Sequence, residues 1–298
     1  MVIDREVDPG RINNGQRFGL GCHAAYDLLA HLEPGLCVDV GAAIGKTARR
    51  ILERSPQSRV TAYEPYAGNR AYLEAAVGGD ARVTIRPVAV SDHAGTGSLM
   101  VPKPNRNSGG WAATMPGYSP LGRLTHSDEA GGVAVETVTL DDEISERVRF
   151  LKVDVQGGEL KVLKGTSNLM AGPGIDIIYV EFSGSLAVAE WLRARGYTLF
   201  DCAYMVRPTR RYLPNWFQRR NTWRLPDWPA IDSGTLSTGA RYAYVWPSMP
   251  FRTLPLYCAW FVACRAILCG MQTDLLCIHE RILPVLLDRS NETDGDFR

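Results

Sequence analysis

The sequence predicts an α/β fold, a mostly parallel sheet flanked by helices, continued into a helical appendage at the C-terminal end. Three observations point there. Short apolar runs rich in branched residues recur at 36–40, 60–63, 83–90, 148–155 and 175–182, as strands covered on both faces require. Amphipathic stretches alternate with several of these runs, the rhythm of strand, helix, strand that builds a parallel sheet. The first run also feeds directly into Gly41-Ala-Ala-Ile-Gly45 and then a helical pattern.

Taken in order, residues 12 to 33 read as a preliminary helical region, followed by the strand Leu36-Cys-Val-Asp-Val40. The helix Thr47 to Arg54 ends at Ser55-Pro56, because proline cannot continue it. Val60-Thr-Ala-Tyr63 is a strand closed by Glu64-Pro65, and a helix from Asn69 to Val77 stops at Gly78-Gly79. A third strand is expected over Val83 to Val90, a fourth over Val148 to Val155, a helix from Glu159 to Leu169, and a fifth strand over Ile175 to Phe182. A final strand is expected at Arg241 to Trp246.

The 298 residues divide into a main domain over 1–248, a helical appendage over 249–290 and a disordered tail over 291–298. Residues 101–132, rich in Gly, Pro, Ser and Asn and carrying Asn107, Trp111, Met115 and Tyr118, read as an ordered loop over a site. With 45% hydrophobic and 22% charged residues the chain has ample core without staples. Cations and acids nearly cancel, 33 against 32, which argues against nucleic-acid binding by bulk basicity. The seven cysteines form no Cys-x-x-Cys pair and read as small hydrophobes in a reducing compartment. The start lacks an apolar core behind a basic flank, so no signal peptide is read and the chain is expected in the cytoplasm.

A strand running into a glycine turn and a helix presents backbone N–H groups at the carboxyl edge of the sheet. Three ligands compete for that edge. A triphosphate wants four residues between its glycines, and Gly41 to Gly45 encloses three, although Lys46-Thr47 follows. A dinucleotide wants a glycine where Ala43 stands. S-Adenosylmethionine has no phosphate and needs mixed partners. Asp39 can lie beneath the turn to meet the ammonium or a water, Gly41 and Gly45 admit the main chain, and Glu64, 25 residues after Asp39, can accept both ribose hydroxyls. Two acids in one cleft would repel a triphosphate.

At greater length, Asp39-Val-Gly-Ala-Ala-Ile-Gly45, Glu64-Pro65 with Asn69, Ala89-Val-Ser-Asp92, Thr139-Leu-Asp141, Phe150-Leu-Lys-Val-Asp-Val-Gln-Gly-Gly-Glu159 and Leu163-Lys-Gly165 form an ordered set over about residues 36–183. This set resembles the FkbM-type methyltransferases. The resemblance implies a class I, Rossmann-like methyltransferase fold, S-adenosylmethionine as donor, and a hydroxyl acceptor on a sugar or polyketide. Two departures stand out: the family commonly has Asn at the position of Ala43 and Glu at the position of Gln156, so a role for that acid does not transfer.

Methyl transfer to an alcohol needs alignment, exclusion of water and a base for the released proton. Asp154, ending the fourth strand on the edge of Asp39 and Glu64, is the leading candidate. Glu159 and Glu181 are further carboxylates, the first with a local reason to stand at a helix start. His93 and His126 are the nearest imidazoles, and His126 shares the loop that could cover the acceptor. Ser91 and Asp92 follow the third strand where such folds meet the adenine. Asp141, Asp142, Asp154 and Glu159 offer oxygens to a metal, but no tight ligand spacing fixes a site, and none is expected.

Arg207, Arg210, Arg211, Arg219, Arg220 and Arg224 interleave with Trp216, Phe217, Trp223 and Trp228 over 203–230. Guanidinium forks and indoles suit sugar phosphates, nucleotide-linked sugars or RNA, and equally a surface on which Arg stems cover Trp faces. From Tyr257 to Ile282 apolar residues follow helical spacing, so 254–287 reads as one helical segment. It packs on the sheet domain, makes a homodimer contact or lies on a membrane surface; its Leu254 to Gly270 run, with Arg265, is short for a span. The expected activity is O-methylation of a small molecule or glycan, most readily a sugar. The rivals are a non-catalytic or nucleotide-binding module on the same fold and an RNA methyltransferase.

Overall fold

A computed structural model describes residues 25–26, 28–101, 117–119, 122–125, 132–201 and 273–286. The chain forms two units, one of Leu32–Glu181 and one of Met1–His31 with Phe182–Arg298.

In the first unit, β1 (Leu36–Val40) is buried along its whole length, as its five consecutive inward-and-outward residues demand. β2 (Arg59–Tyr63) and β8 (Val148–Val153) flank it in parallel, with Asp39 opposite Ala62 on one side and Lys152 on the other. β3 (Val83–Arg86) and β9 (Ile175–Phe182) extend this to the parallel order β9-β8-β1-β2-β3. Helix α1 (Lys46–Arg54) follows Gly45 and buries Ala48, Ile51 and Leu52, one stripe at helical spacing. Helix α2 (Ala67–Val77) buries Leu73 and Val77 and stops at Gly78. The parallel sheet with flanking helices is the Rossmann-like arrangement the sequence predicted.

The expected strand from Val83 to Val90 is two strands. Pro87 supplies no N–H to a ladder, and beyond it β4 (Ala89–Val90) joins a second sheet. Its other members are β5 (Gly95–Met100), β6 (Arg123–Thr125) and β7 (Val133–Val138), in the order β4-β7-β5-β6. Part of the expected loop 101–132 is therefore strand. Leu99, Val135 and Ala89 form this sheet's small core, with Tyr66 and Leu124 against it.

The expected helix from Glu159 to Leu169 is likewise divided, after α3 (Leu140–Glu143), into α4 (Glu159–Lys164) and α5 (Ser167–Ala171). The break has a steric cause: a Cβ at Gly165 would overlap the Ser91 carbonyl oxygen, so the backbones meet there. Asp141 then accepts the Asn168 and Leu169 amides at 3.0 and 2.7 Å, capping α5. Asp142 accepts the Thr139 hydroxyl at 2.7 Å. Two of the four acids considered for a metal are thus engaged in helix ends, and the described residues contain no cluster of three or more acidic, His or Cys side chains fit to hold one.

In the second unit, α6 (Leu186–Arg193) starts at Ser185, whose hydroxyl accepts the Val188 amide at 3.4 Å. β10 (Tyr197–Asp201) pairs antiparallel with β11 (Thr273–His279). This corrects the helical reading of 254–287 over 273–279, whereas 283–286 are helical. Leu275, Leu276, Cys277 and Ile278 are all buried, and a run of four consecutive buried apolar residues fits a strand covered on both faces; periodicity cannot separate that from a buried helix. The arginine and tryptophan segment 203–230, the strand expected at 241–246, all of 249–272 and the tail 291–298 lie outside the described residues. No helix among the described residues is long and apolar enough to cross a membrane. Cys37 and Cys277 are buried free thiols.

One buried ion cluster ties β8 to β9. Asp176, fully buried, accepts from Arg147 at 2.7 Å and from Arg149 at 3.0 Å. Removing the acid leaves two guanidinium groups without their counter-ion, although both are partly exposed. Asp176→Asn is expected to lower stability by about 3 kcal/mol, the low end for a broken buried pair, read from urea denaturation.

Candidate active site

The ends of β1 and β2 are sewn together by their backbones. The Gly41 and Ala42 amides both donate to the Tyr63 carbonyl at 3.0 Å, and Gly45 N–H closes the turn on the Ala42 carbonyl at 2.9 Å. Gly41 has φ 77° and Gly45 φ 80°. A Cβ at residue 41 would overlap the Asp154 carbonyl oxygen, so this glycine lets the turn close on the end of β8. Ala43 also adopts a left-handed backbone, φ 49°, where an L side chain is strained.

Glu64 completes the turn. Its Oε2 accepts the Ala43 amide and its Oε1 the Tyr66 amide, both at 2.9 Å. Burial pushes its carboxyl above the ordinary range, and the two amides pull the other way. A carboxylate offers about four lone-pair sites, so acceptor capacity remains beyond these two amides and the Asn69 side chain. Gly41, Ala43, Glu64, Tyr66, Ser91 and Asp154 line one cavity of about 160 Å³. Of the predicted cofactor residues, Gly41, Glu64 and Ser91 are therefore brought together, with the leading catalytic candidate Asp154 on the same wall.

The remaining candidates stand elsewhere. Asp39 is fully buried and does not line the cavity; its carboxylate lies behind the turn, 3.4 Å from the Lys152 ammonium. Neither Asp39 oxygen has an aligned hydrogen-bond partner among the described residues, and burial drives its carboxyl upward despite the opposing pull of Lys152. Gly45 faces α2, where a Cβ would stand 3.0 Å from Leu73. Asp92 accepts from Ser91 Oγ at 3.2 Å and lies 2.8 Å from His93 Nδ1. Against the upward push of partial burial, those two partners hold Asp92 below the ordinary carboxylate range.

Glu159 is a loop cap instead of a wall residue. Its Oε1 accepts the Gly157 amide at 2.8 Å and the Val155 amide at 3.4 Å, satisfying donors ahead of α4. Glu181 also stays off the cavity wall and reaches it through Gln156, whose Nε2 donates at 2.9 Å to both Glu181 Oε2 and Asp154 Oδ1. His126 lies outside the described residues.

Asp154 keeps 41% of its side chain exposed, with Lys152 Nζ at 3.5 Å from Oδ2. Partial burial acts to raise its carboxyl, but Lys152, the Gln156 amide and hydrogen bonding with Glu181 outweigh it and hold it below the ordinary range. The residues that sequence reasoning passed over are Lys152, Lys161 and Tyr66, and Asn69 gains a defined role. Asn69 exchanges two hydrogen bonds of 2.9 Å with the Ser119 backbone, which fixes Tyr118 and Ser119 as part of the cavity wall. Nothing in the local sequence signals a pairing across 50 residues.

Residues 39–199, more than half of the chain, match the family described as the methyltransferase FkbM domain. The chain belongs to the FkbM methyltransferase family. Among solved structures, this FkbM chain is similar to a methyltransferase FkbM from Methylobacillus flagellatus KT, at 16% identity and a TM-score of 0.36 over 58% of this chain. The chain spans 43% of that protein's length. It is also similar to a precorrin-6y C5,15-methyltransferase from Geobacter metallireducens GS-15, at 12% identity and a TM-score of 0.34, over 60% of this chain and 72% of that one. A third likeness is the plantazolicin methyltransferase BpumL in complex with SAH, at 9% identity and a TM-score of 0.32, over 92% and 91% of the two chains. No curated protein matches the FkbM chain.

The left-handed Ala43 makes a direct test of the turn. Ala43→Gly relieves the backbone while keeping the N–H that Glu64 accepts, and is expected to raise stability by about 1 kcal/mol. Ala43→Val, with a branched Cβ at the same φ, is expected to lower it. Thermal denaturation of the pair reads both signs.

Proposed function

We propose that this chain is an S-adenosylmethionine-dependent O-methyltransferase that acts on a hydroxyl of a small molecule or glycan, most readily a sugar. The carrying observation is the Glu64 carboxylate, fixed by two backbone amides at the wall of a cavity that also holds the glycine turn and Asp154.

The lining suits that donor. Among the described residues, Lys161 is the one cation on the wall, against two acids, Glu64 and Asp154, a balance that repels a triphosphate and accepts a neutral diol. Glu64 would take the ribose hydroxyls on its remaining lone pairs, with Gly41 and Ala43 offering main chain and Ser91 a buried hydroxyl at the adenine end. Asp39 acts on the donor from behind the turn, through Lys152 and the Gly41 carbonyl, and not by contact. When bound, the donor supplies an electrophilic methyl group on a sulfonium.

Asp154 orients the acceptor hydroxyl and takes its proton as the oxygen attacks. Its depressed carboxyl is ionised throughout the neutral range, so it acts as a weak but always available acceptor, and proximity supplies most of the advantage. The apolar residues Leu99 and Leu124 on the wall help to exclude water.

Calorimetry and a tritiated-methyl assay across sugar, lipid-linked glycan and RNA pools test this reading. The chain is expected to bind S-adenosylmethionine at micromolar concentration, about 10- to 100-fold more weakly after Glu64→Ala. Binding of ATP in place of that donor would overturn the reading and favour the nucleotide-binding module. Asp154→Asn is expected to cut transfer about 100-fold or more with donor affinity little changed. Because the ionised form is the active one and its carboxyl is held below the usual range, the acid limb of the pH profile should fall below about pH 4. A limb near pH 6.5 would assign the proton to a histidine.

A further inference from the structure

The pleat of the parallel sheet gathers four groups on one spot. Lys152 on β8 stands opposite Asp39 on β1, so their side chains leave the same face of the sheet. Two residues further along each strand come Asp154 and Gly41. Lys152 is buried, its side chain 9% exposed. A lysine so placed needs oxygens around it, and its ammonium has three N–H donors. It donates to the Gly41 carbonyl at 2.7 Å and stands 3.4 Å from Asp39 Oδ1 and 3.5 Å from Asp154 Oδ2.

We infer that Lys152 is a positioning residue that couples the donor turn to the proton-accepting carboxylate, one ammonium fixing the Gly41 carbonyl while it holds Asp154 ionised. The inference rests on the proposed donor and base for its meaning, and on this geometry for its support. The two tasks share one cation because the turn and the carboxylate occupy equivalent places on neighbouring strands.

Asp39 sets the polarity of this arrangement. It is fully buried, and Lys152 is what faces its oxygens as a counter-charge. The acid balances the ammonium's charge, while the 2.7 Å hydrogen bond to the Gly41 carbonyl anchors it in the sheet, an anchor that does not depend on Asp39. The groups that face Asp154 come from every neighbouring element. They are Lys152 from β8, Gln156 from the loop beyond it, Glu181 of β9 through that amide and as a hydrogen-bonding neighbour of its own, Asp39 from β1, and Tyr118 across the cavity. Lys152 is the cation among them. Its loss would leave Asp154 with the Gln156 amide and neighbouring acids, and with no cation among these groups.

The test reads Asp154 directly. Whole-chain protein labelled with ¹³C at aspartate carboxyls is titrated by NMR, the Asp154 signal being assigned by its loss in Asp154→Asn. Donor binding is measured in parallel by calorimetry with S-adenosylmethionine. Lys152→Met alone strands the buried Asp39 charge and can unfold the chain, so the informative variant is Asp39→Asn with Lys152→Met, which removes both charges. In it the Asp154 midpoint is expected to rise by about one pH unit or more and donor affinity to fall about tenfold or more. Asp39→Asn alone removes a negative neighbour and keeps the ammonium, so the midpoint is expected to move down. Opposite signs are the signature of coupling through Lys152; a general loosening of the turn would move both variants the same way.

A wild-type value of either the midpoint or the donor affinity in the double variant would overturn the inference, leaving Lys152 as a counter-ion for Asp39 only. The reading on which it rests fails separately. If Asp154→Asn keeps full methyl transfer, Asp154 is not the base, while the titration and binding results still decide on Lys152. If the wild-type chain binds no S-adenosylmethionine, the donor assignment falls, and the Asp154 midpoint alone then decides whether the lysine holds that carboxylate ionised.

Discussion

The hydrogen bonds between the chain leaving β1 and the chain leaving β2 govern the rest of the site. The Tyr63 carbonyl takes two amides of the glycine turn, and the next side chain, Glu64, takes a third while its other oxygen holds the Tyr66 amide. A carboxylate locked by N–H groups of its own backbone is aimed before any ligand arrives, which removes an ordering cost from binding. The arrangement also explains why a strained alanine is tolerated at residue 43. The left-handed φ directs its N–H at Glu64, so local strain is offset by a charge-assisted hydrogen bond.

Charge is distributed over the site in layers. Asp39 lies deepest, Lys152 over it, Asp154 at the cavity, and Gln156 joins Asp154 to Glu181. A carboxylate in place of the Gln156 amide would add a third acid to Asp154 and Glu181, and like charges so close would force a shared proton or demand a cation. The amide instead gives one hydrogen to each acid. Its residue takes φ 56°, so the backbone bends to deliver that bridge. This chain thus reaches a stable acidic edge by hydrogen bonding, with Asp154 kept ionised by the donors beside it.

What the sequence disclosed follows from which signals are local. The parallel strands, the glycine turn and the strand-end acids were legible because apolar runs and their first polar residues are contiguous. So Asp39, Glu64 and Asp154 were placed at the correct edge. Their depth was not legible: whether a strand-end acid faces a cavity, as Glu64 does, or the interior, as Asp39 does, depends on which neighbour strand carries a lysine in register. Lys152 itself interrupts an apolar run and gives no sign of its partners. Glu159 and Asp141 read as candidate chemistry because carboxylates at helix starts serve capping equally well. The second sheet escaped because β4 and β6 are only two and three residues long and β5 carries two glycines, and β11 because four consecutive buried residues carry no period.

The paired bonds between Asn69 and the Ser119 backbone bear on how such a protein could change its substrate. They fasten one short piece of cavity wall to α2, the helix that follows the Glu64 turn, and they do so through a main chain whose own side chains are free to vary. Segments entering and leaving that fastening could be exchanged in evolution or by grafting while the nucleoside end of the cavity keeps its shape. Selectivity for the acceptor and recognition of the donor would then diverge as separate modules, joined at a single asparagine.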